Sequence, residues 1–284
     1  MAAYFELLQN GIERLEKAKI KEAKLDAWYL FSECFQITRA DYFLRQKEEL
    51  MEKDDKAKKR WENCLVRREK REPLQYILGV QEFMGISFFV SPAVLIPRQD
   101  TEILVEKALS ILKQKDYILD MCTGSGCILL SLMKLGKLFN GVGVDISEEA
   151  LFIARKNADV LGLKPSFYQS NLFDKIKKGE LFDMIISNPP YITEKEMGQL
   201  MPEVVEYEPK LALFGGKDGL DFYYKIAKTA KNFLTTKGSL LMEIGCGQAK
   251  AVSKILQENG YEEIEVIQDL ARLDRVIVGK NGHK

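Results

Sequence analysis

The chain has 284 residues, long for one domain and comfortable for two, and its apolar content of 46% is ample for a buried core. Basic and acidic residues balance at 42 each, so no overall field draws the protein to nucleic acid or to a membrane surface. No apolar run reaches bilayer-spanning length, no signal-peptide pattern opens the chain, and its five cysteines include no CxxC pair; the expectation is a cytoplasmic protein with reduced thiols and no metal site. A single histidine, His283, excludes a histidine-based triad or a multi-histidine metal centre, so any chemistry has to run without a histidine base.

Residues 1–72 are helical in pattern. Phe5, Leu8, Ile12 and Leu15 recur at spacings of three and four, as do Ala23, Ala27, Leu30 and Cys34. A further helix is predicted over residues 55–69, with Ala57, Trp61, Cys64, Leu65 and Arg68 sharing a face. Glycine and proline are nearly absent here, which reads as a small helical bundle. Residues 56–71 carry eight basic and two acidic side chains; their amphipathic spacing favours a solvated helix face over an RNA contact. Pro73 breaks the pattern. Residues 73–97 read as a joint between two domains, with a hairpin or two short strands over residues 83–90.

From residue 98 to 284 helix and strand alternate. Asp100 or Thr101 caps a helix that carries Ile103, Leu104, Ala108, Leu109 and Leu112. Strands are predicted at 117–121, 141–145, 166–170, 182–187, 239–244, 264–268 and 275–279, with helices at 148–161, 219–234 and 248–259. Such alternation implies an α/β fold with a parallel sheet covered on both faces. The last two strands lie too close for a helical crossover, so the final strand is expected to run antiparallel.

Two stretches in this half point to chemistry. Asp120-Met121-Cys122-Thr123-Gly124-Ser125-Gly126 follows a strand and opens a helix, and its glycines let the backbone turn sharply and approach a ligand. Asp145 ends the next strand about twenty residues on, where an acid can accept from both hydroxyls of a ribose. A dinucleotide fingerprint fits poorly, because Leu129 holds the third glycine position and no lysine or arginine in the loop awaits a pyrophosphate. A nucleoside with a ribose and no phosphates fits better, and S-adenosyl-L-methionine is the candidate. The second stretch, Asn188-Pro189-Pro190-Tyr191, stands where the strand 182–187 runs out. Two prolines end the sheet ladder and hold a side-chain amide, free carbonyls and an aromatic ring together, an arrangement suited to gripping a planar group that carries an NH2.

Loop, acid and tetrapeptide in this order resemble a class I S-adenosylmethionine-dependent methyltransferase, and more narrowly the peptide chain release factor glutamine methyltransferase family. Arg71-Glu72-Pro73-Leu74-Gln75-Tyr76-Ile77 resembles the start of that family's interdomain joint. Val94-Leu95-Ile96-Pro97-Arg98-Gln99-Asp100-Thr101-Glu102 resembles its second signature, with Gln99 where proline is usual. Cys122 replaces the family's first loop glycine, and Asn171-Leu172 replaces an acid followed by a large apolar residue. The resemblance implies a Rossmann-like seven-stranded methyltransferase sheet behind a helical substrate-docking domain. It implies S-adenosyl-L-methionine held by residues 120–126, Asp145, Asn171, Leu172 and Asn188, and a substrate glutamine gripped by Asn188, Pro189, Pro190 and Tyr191. The implied partner is a release factor, methylated by a monomer at the glutamine of its Gly-Gly-Gln motif. The same tetrapeptide serves methyltransferases of adenine N6 in DNA or RNA, but the neutral charge and the lack of a large insertion argue against direct nucleic-acid binding. A fold that binds cofactor and has lost catalysis is the remaining alternative, hinted at by Cys122 alone.

Overall fold

A computed structural model describes residues 3–138 and 140–282; His283 lies outside them. Five helices come first: α1 Tyr4–Lys17, α2 Ala23–Phe35, α3 Arg39–Arg45, α4 Asp55–Glu69 and α5 Leu74–Leu78. A hairpin follows, β1 Val80–Phe83 and β2 Ile86–Phe89, and then α6 Gln99–Ile111, β3 Ile118–Met121, α7 Cys127–Leu135, β4 Gly141–Asp145 and α8 Glu148–Leu161. The chain continues through β5 Ser166–Gln169, β6 Phe182–Ser187, α9 Glu194–Met197, α10 Pro202–Tyr207 and α11 Asp221–Ala230. It ends with β7 Leu234–Glu243, α12 Ala249–Glu258, β8 Tyr261–Gln268 and β9 Asp274–Asn281. Contacts divide it into two units, Met1–Gly79 with Met201–Tyr207, and Val80–Leu200 with Glu208–Lys284.

The first unit is a helical bundle around Leu15, Leu30, Phe31, Trp61 and Leu65. Its first helix buries Tyr4, Leu8, Gly11 and Leu15, so the buried stripe differs from the predicted one, and Phe5 is 48% exposed. Gly11 is the reason. A Cβ there would stand 2.3 Å from the Trp61 ring, so bare backbone is what seats the indole. On α4 the expected face, Trp61, Cys64, Leu65 and Arg68, is buried. Arg68 donates to Asp26 at 2.7 Å and also reaches Glu203 on α10, which accepts from Arg71 at 2.9 Å. Several other basic groups of α4 are paired as well: Arg60 with Glu33, Arg67 with Glu72 and Lys58 with Asp55. The unit runs to Gly79, beyond residue 72, because Leu74, Ile77 and Leu78 pack on the helical core.

The second unit holds the hairpin and a seven-stranded sheet in the order β5-β4-β3-β6-β7-β9-β8. Strands β5, β4, β3, β6 and β7 pair in parallel, while β9 is antiparallel to both β7 and β8, as the short final connection requires. Alternate residues feed two cores, one on each face of the sheet. Leu119, Met121, Ile185 and Met242 enter one, and Ile118, Met184, Ile186 and Leu241 enter the other. Among the described residues no helix is long and apolar enough to cross a membrane.

Candidate active site

The strand order reverses between β3 and β6, and the parallel strands on either side end at one edge. Open α/β sheets bind ligands at that edge. A cavity of about 200 Å³ lies there. Cys122, Thr123, Gly124 and Ser125 line it from the loop after β3, Asp145, Ile146 and Ser147 from the end of β4, and Asn171 and Leu172 from beyond β5. Asn188 and Pro190 close it from the end of β6.

Hydrogen bonds shape the loop. Thr123 N–H donates to the Val144 carbonyl, and Gly124 N–H donates to Asp145 Oδ2 at 2.8 Å. Asp145 Oδ1 accepts from Ser147 N–H at 3.0 Å, so this carboxylate is fixed at the cavity wall with lone pairs left to offer. Burial raises it above the usual carboxylate range, against the pull of those backbone donors. Gly124 has φ +55, and no atom lies within 4 Å of where its Cβ would be. A ligand can therefore lie against bare backbone there. Cys122 stands at φ 60, a left-handed conformation that favours glycine. The cysteine keeps the geometry and bears the strain. Burial raises its thiol, so it faces the cavity protonated. Behind the loop, the buried Asn157 amide donates to the Ser125 carbonyl at 2.9 Å and exchanges hydrogen bonds with the Phe89 backbone.

Four residues of the sequence reading stand away from the cavity wall. Asp120 is completely buried under the loop, where it accepts from Thr123 Oγ1 at 2.5 Å. Gly126 caps α7 at φ +78, its Cβ position 3.2 Å from Ala154 and Leu130 side chains. Pro189 is buried, and Tyr191 turns its ring toward β7, donating to Glu243 Oε1 at 3.1 Å. Burial raises that phenol, with the Glu243 charge adding to the effect, so it remains a donor. The Tyr191 carbonyl accepts from Gln248 Nε2, and Gly219 passes so close that a Cβ would stand 2.3 Å from the same oxygen.

Residues outside the loop, the acid and the tetrapeptide also reach the wall. Thr101 accepts from Asn188 Nδ2 at 3.1 Å and lines the cavity. Arg98 also lines it and pairs with the buried Glu208, which also accepts from Ile96 N–H. Both lie in the stretch 94–102, whose motif was the available signal. Pro209 and Leu211, from a stretch without periodicity, and Phe222, near the start of α11, complete the wall. Among the described residues no cluster of three or more histidine, cysteine, aspartate or glutamate side chains could hold a metal ion. The arrangement offers a fixed carboxylate, an open glycine face, a mostly apolar wall and one oriented carboxamide. That set fits a ribose-bearing cofactor beside a polar acceptor group.

Residues 6–79 match the family model for the PrmC N-terminal domain, and residues 99–211 match that for the methyltransferase small domain. The chain is 40% identical over 282 residues to the release factor glutamine methyltransferase of Fusobacterium nucleatum, covering 98% of this chain and 79% of that protein. It is 39% identical over 268 residues to the release factor glutamine methyltransferase of Geobacter sulfurreducens, covering 94% and 93%. Among solved structures, a methyltransferase from Pyrococcus furiosus aligns with a TM-score of 0.55 at 17% identity, over 71% of this chain and 91% of that one. A 16S rRNA methyltransferase of T. thermophilus, solved in complex with AdoMet and guanosine, aligns at 0.53 and 16%, over 71% and 49%. These two share the fold of the sheet, whereas the sequence relatives extend through the helical unit as well, and on that near end-to-end identity the chain belongs to the release factor glutamine methyltransferase family.

Proposed function

We propose that this chain transfers the methyl group of S-adenosyl-L-methionine to the side-chain amide nitrogen of a release-factor glutamine, the one in the Gly-Gly-Gln motif. What carries the reading is the Asn188 carboxamide, tied through Nδ2 to Thr101 at the cavity wall, with its oxygen left to accept from an amide NH2. The names of the relatives support the same substrate.

An amide nitrogen is a poor nucleophile because its lone pair is delocalised into the carbonyl. Asn188 Oδ1 and the Pro189 carbonyl accept from its two N–H groups and hold the nitrogen in one orientation. Tyr191, held by its hydroxyl on Glu243 and its carbonyl on Gln248, fixes the tetrapeptide from behind the cavity, and Pro190 lines the wall beside Asn188. The cofactor supplies an electrophilic methyl on a sulfonium sulfur. Asp145 would accept from its ribose, Gly124 would let it approach bare backbone, and Asn171 and Leu172 would flank its base. Orientation of reacting groups is worth roughly 7–11 kcal/mol, and acceptors aimed at the nitrogen stabilise the positive charge that develops there. The proton leaves to solvent, so no histidine is needed. The helical unit is the docking surface for the protein substrate, and exposed Phe43 and Leu44 on α3 suit such a contact.

The test uses purified protein and labelled cofactor, with release factor and DNA as separate substrates and mass mapping of the product. Label on the release-factor glutamine is expected, and label on DNA adenine would overturn the reading. Asn188→Ala should lower kcat and kcat/KM together, by roughly 10²–10³, with cofactor affinity by calorimetry changed far less. Near-normal turnover in that variant would refute the role given to Asn188.

A further inference from the structure

We infer that Cys34 on α2 and Cys64 on α4 form a redox-modification site, closing a reversible disulfide between the two helices when a peroxide is present. Their sulfurs stand 3.9 Å apart, with Cys34 donating to Cys64. That is van der Waals contact, and a bond requires the pair to close to about 2.05 Å. Thirty positions separate the two residues in sequence, so the fold alone brings them together.

The helices hold the sulfurs in register. Arg68 pairs with Asp26 at 2.7 Å toward one end of the contact, and Arg60 pairs with Glu33 at 2.7 Å toward the other. These pairs set α2 and α4 antiparallel. Between them the Phe31 and Trp61 rings meet edge-on, their centroids 5.4 Å apart. The sulfur contact is therefore backed by core packing and two ion pairs across the same interface.

Cys34 and Cys64 are 6% and 7% exposed, so a water-sized oxidant suits the site better than a bulky one. The hydrogen bond from Cys34 lowers the Cys64 thiol to about 7 against the effect of burial, with Arg67 and Arg60 adding to the lowering, and Cys64 supplies the thiolate. Cys34 is raised by the same hydrogen bond and by burial, and keeps its proton. The Cys64 sulfur attacks one peroxide oxygen, the O–O bond breaks, and hydroxide leaves. Cys34 then attacks the resulting sulfenic acid: the S–S bond forms, the S–O bond breaks, and the Cys34 proton departs with the hydroxyl as water. Two electrons pass from the sulfurs to the peroxide, and a dithiol reductant restores them.

Both cysteines belong to the first unit. The loop they would close holds residues 35–63, including α3 with its exposed Phe43 and Leu44. A cross-link of this kind stabilises chiefly by restricting the unfolded chain, so oxidation should firm this unit.

The experiment treats the full chain with hydrogen peroxide, caps free thiols with iodoacetamide under denaturing conditions, and maps peptides by mass before and after dithiothreitol. The parent, Cys34→Ala and Cys64→Ala are compared. Thermal unfolding is followed by the fluorescence of Trp28 and Trp61, which both lie in this unit. The parent should yield a joined Cys34–Cys64 peptide pair that dithiothreitol separates. Cys34→Ala should stop at a Cys64 sulfenic acid, trapped by dimedone. Peroxide should raise the parent's midpoint by roughly 10 °C or more and leave that of Cys64→Ala unchanged. Should a variant fail to fold, the parent's peptide map and midpoint decide. Cys34 and Cys64 both recovered capped after peroxide would overturn the inference. So would bridges formed only through the exposed Cys246 of two copies, or a joined pair that lowers the midpoint.

Discussion

Asp120→Asn should become progressively more stable than the parent as pH rises toward neutrality. The Asp120 carboxyl is completely buried, and burial pushes it from 3.8 up to about 7 against the pull of the Thr123 hydroxyl. A carboxyl raised in the fold contributes stability that is fully present below 3.8 and is lost as pH climbs through about 7. The loss runs at about 1.4 kcal/mol per pH unit and totals about 4 kcal/mol. Asparagine is nearly isosteric and carries no proton to lose. The stability difference, variant minus parent, should therefore climb by about 1.4 kcal/mol per pH unit between pH 5 and 7 and then level off. Glu243, also raised, is present in both proteins and cancels in the difference. Urea unfolding followed by far-UV circular dichroism at several pH values measures it. Trp28 and Trp61 both lie in the first unit, so their fluorescence transition is an internal control if the units unfold separately. A difference that stays flat or falls over this range would refute the claim that the fold forces a carboxylate into a dry site under the loop.

Asp145→Ala should weaken cofactor binding by about 1.5–3 kcal/mol through lost ribose contacts, and unchanged affinity by calorimetry would remove Asp145 from the site. Cys122→Gly relieves a left-handed cysteine at φ 60 but adds unfolded-state freedom worth roughly 0.4–1 kcal/mol, so its thermal stability should stay within about 1 kcal/mol of the parent. Cys122→Val places a β-branched side chain at the same angle and should fall below the glycine variant by about 2 kcal/mol; equal melting temperatures would show that the strain is absent.

Local patterns carried much of the fold. The predicted helices 55–69 and 148–161 coincide with α4 and α8, because apolar spacing and the cap at Ser147 are written within a few residues of one another. The predicted strand 239–244 begins earlier, at Leu234, where the predicted helix 219–234 was to end, because a register shift against β6 and a positive φ at Lys237 carry the strand through residues left unassigned between the two. That the loop 122–125, Asp145 and Asn188 stand at strand ends was legible, because glycine, acid and proline each mark such ends in sequence, and the structure brings them around one cavity. The burial of Asp120 and the turn of Tyr191 toward Glu243 were not legible. Both depend on which strands lie side by side, and pairing across the sheet leaves no local signature.

Residues 201–207 belong by contact to the unit that residues 1–79 begin, yet residues 80–200 are made first. At a few to some twenty residues per second, the ribosome needs on the order of ten seconds to span that interval. Through it, Arg68 and Arg71 wait without Glu203. Order of synthesis and order of completion therefore part company in this protein: the unit that residues 1–79 begin stays unfinished until residue 207 has been made.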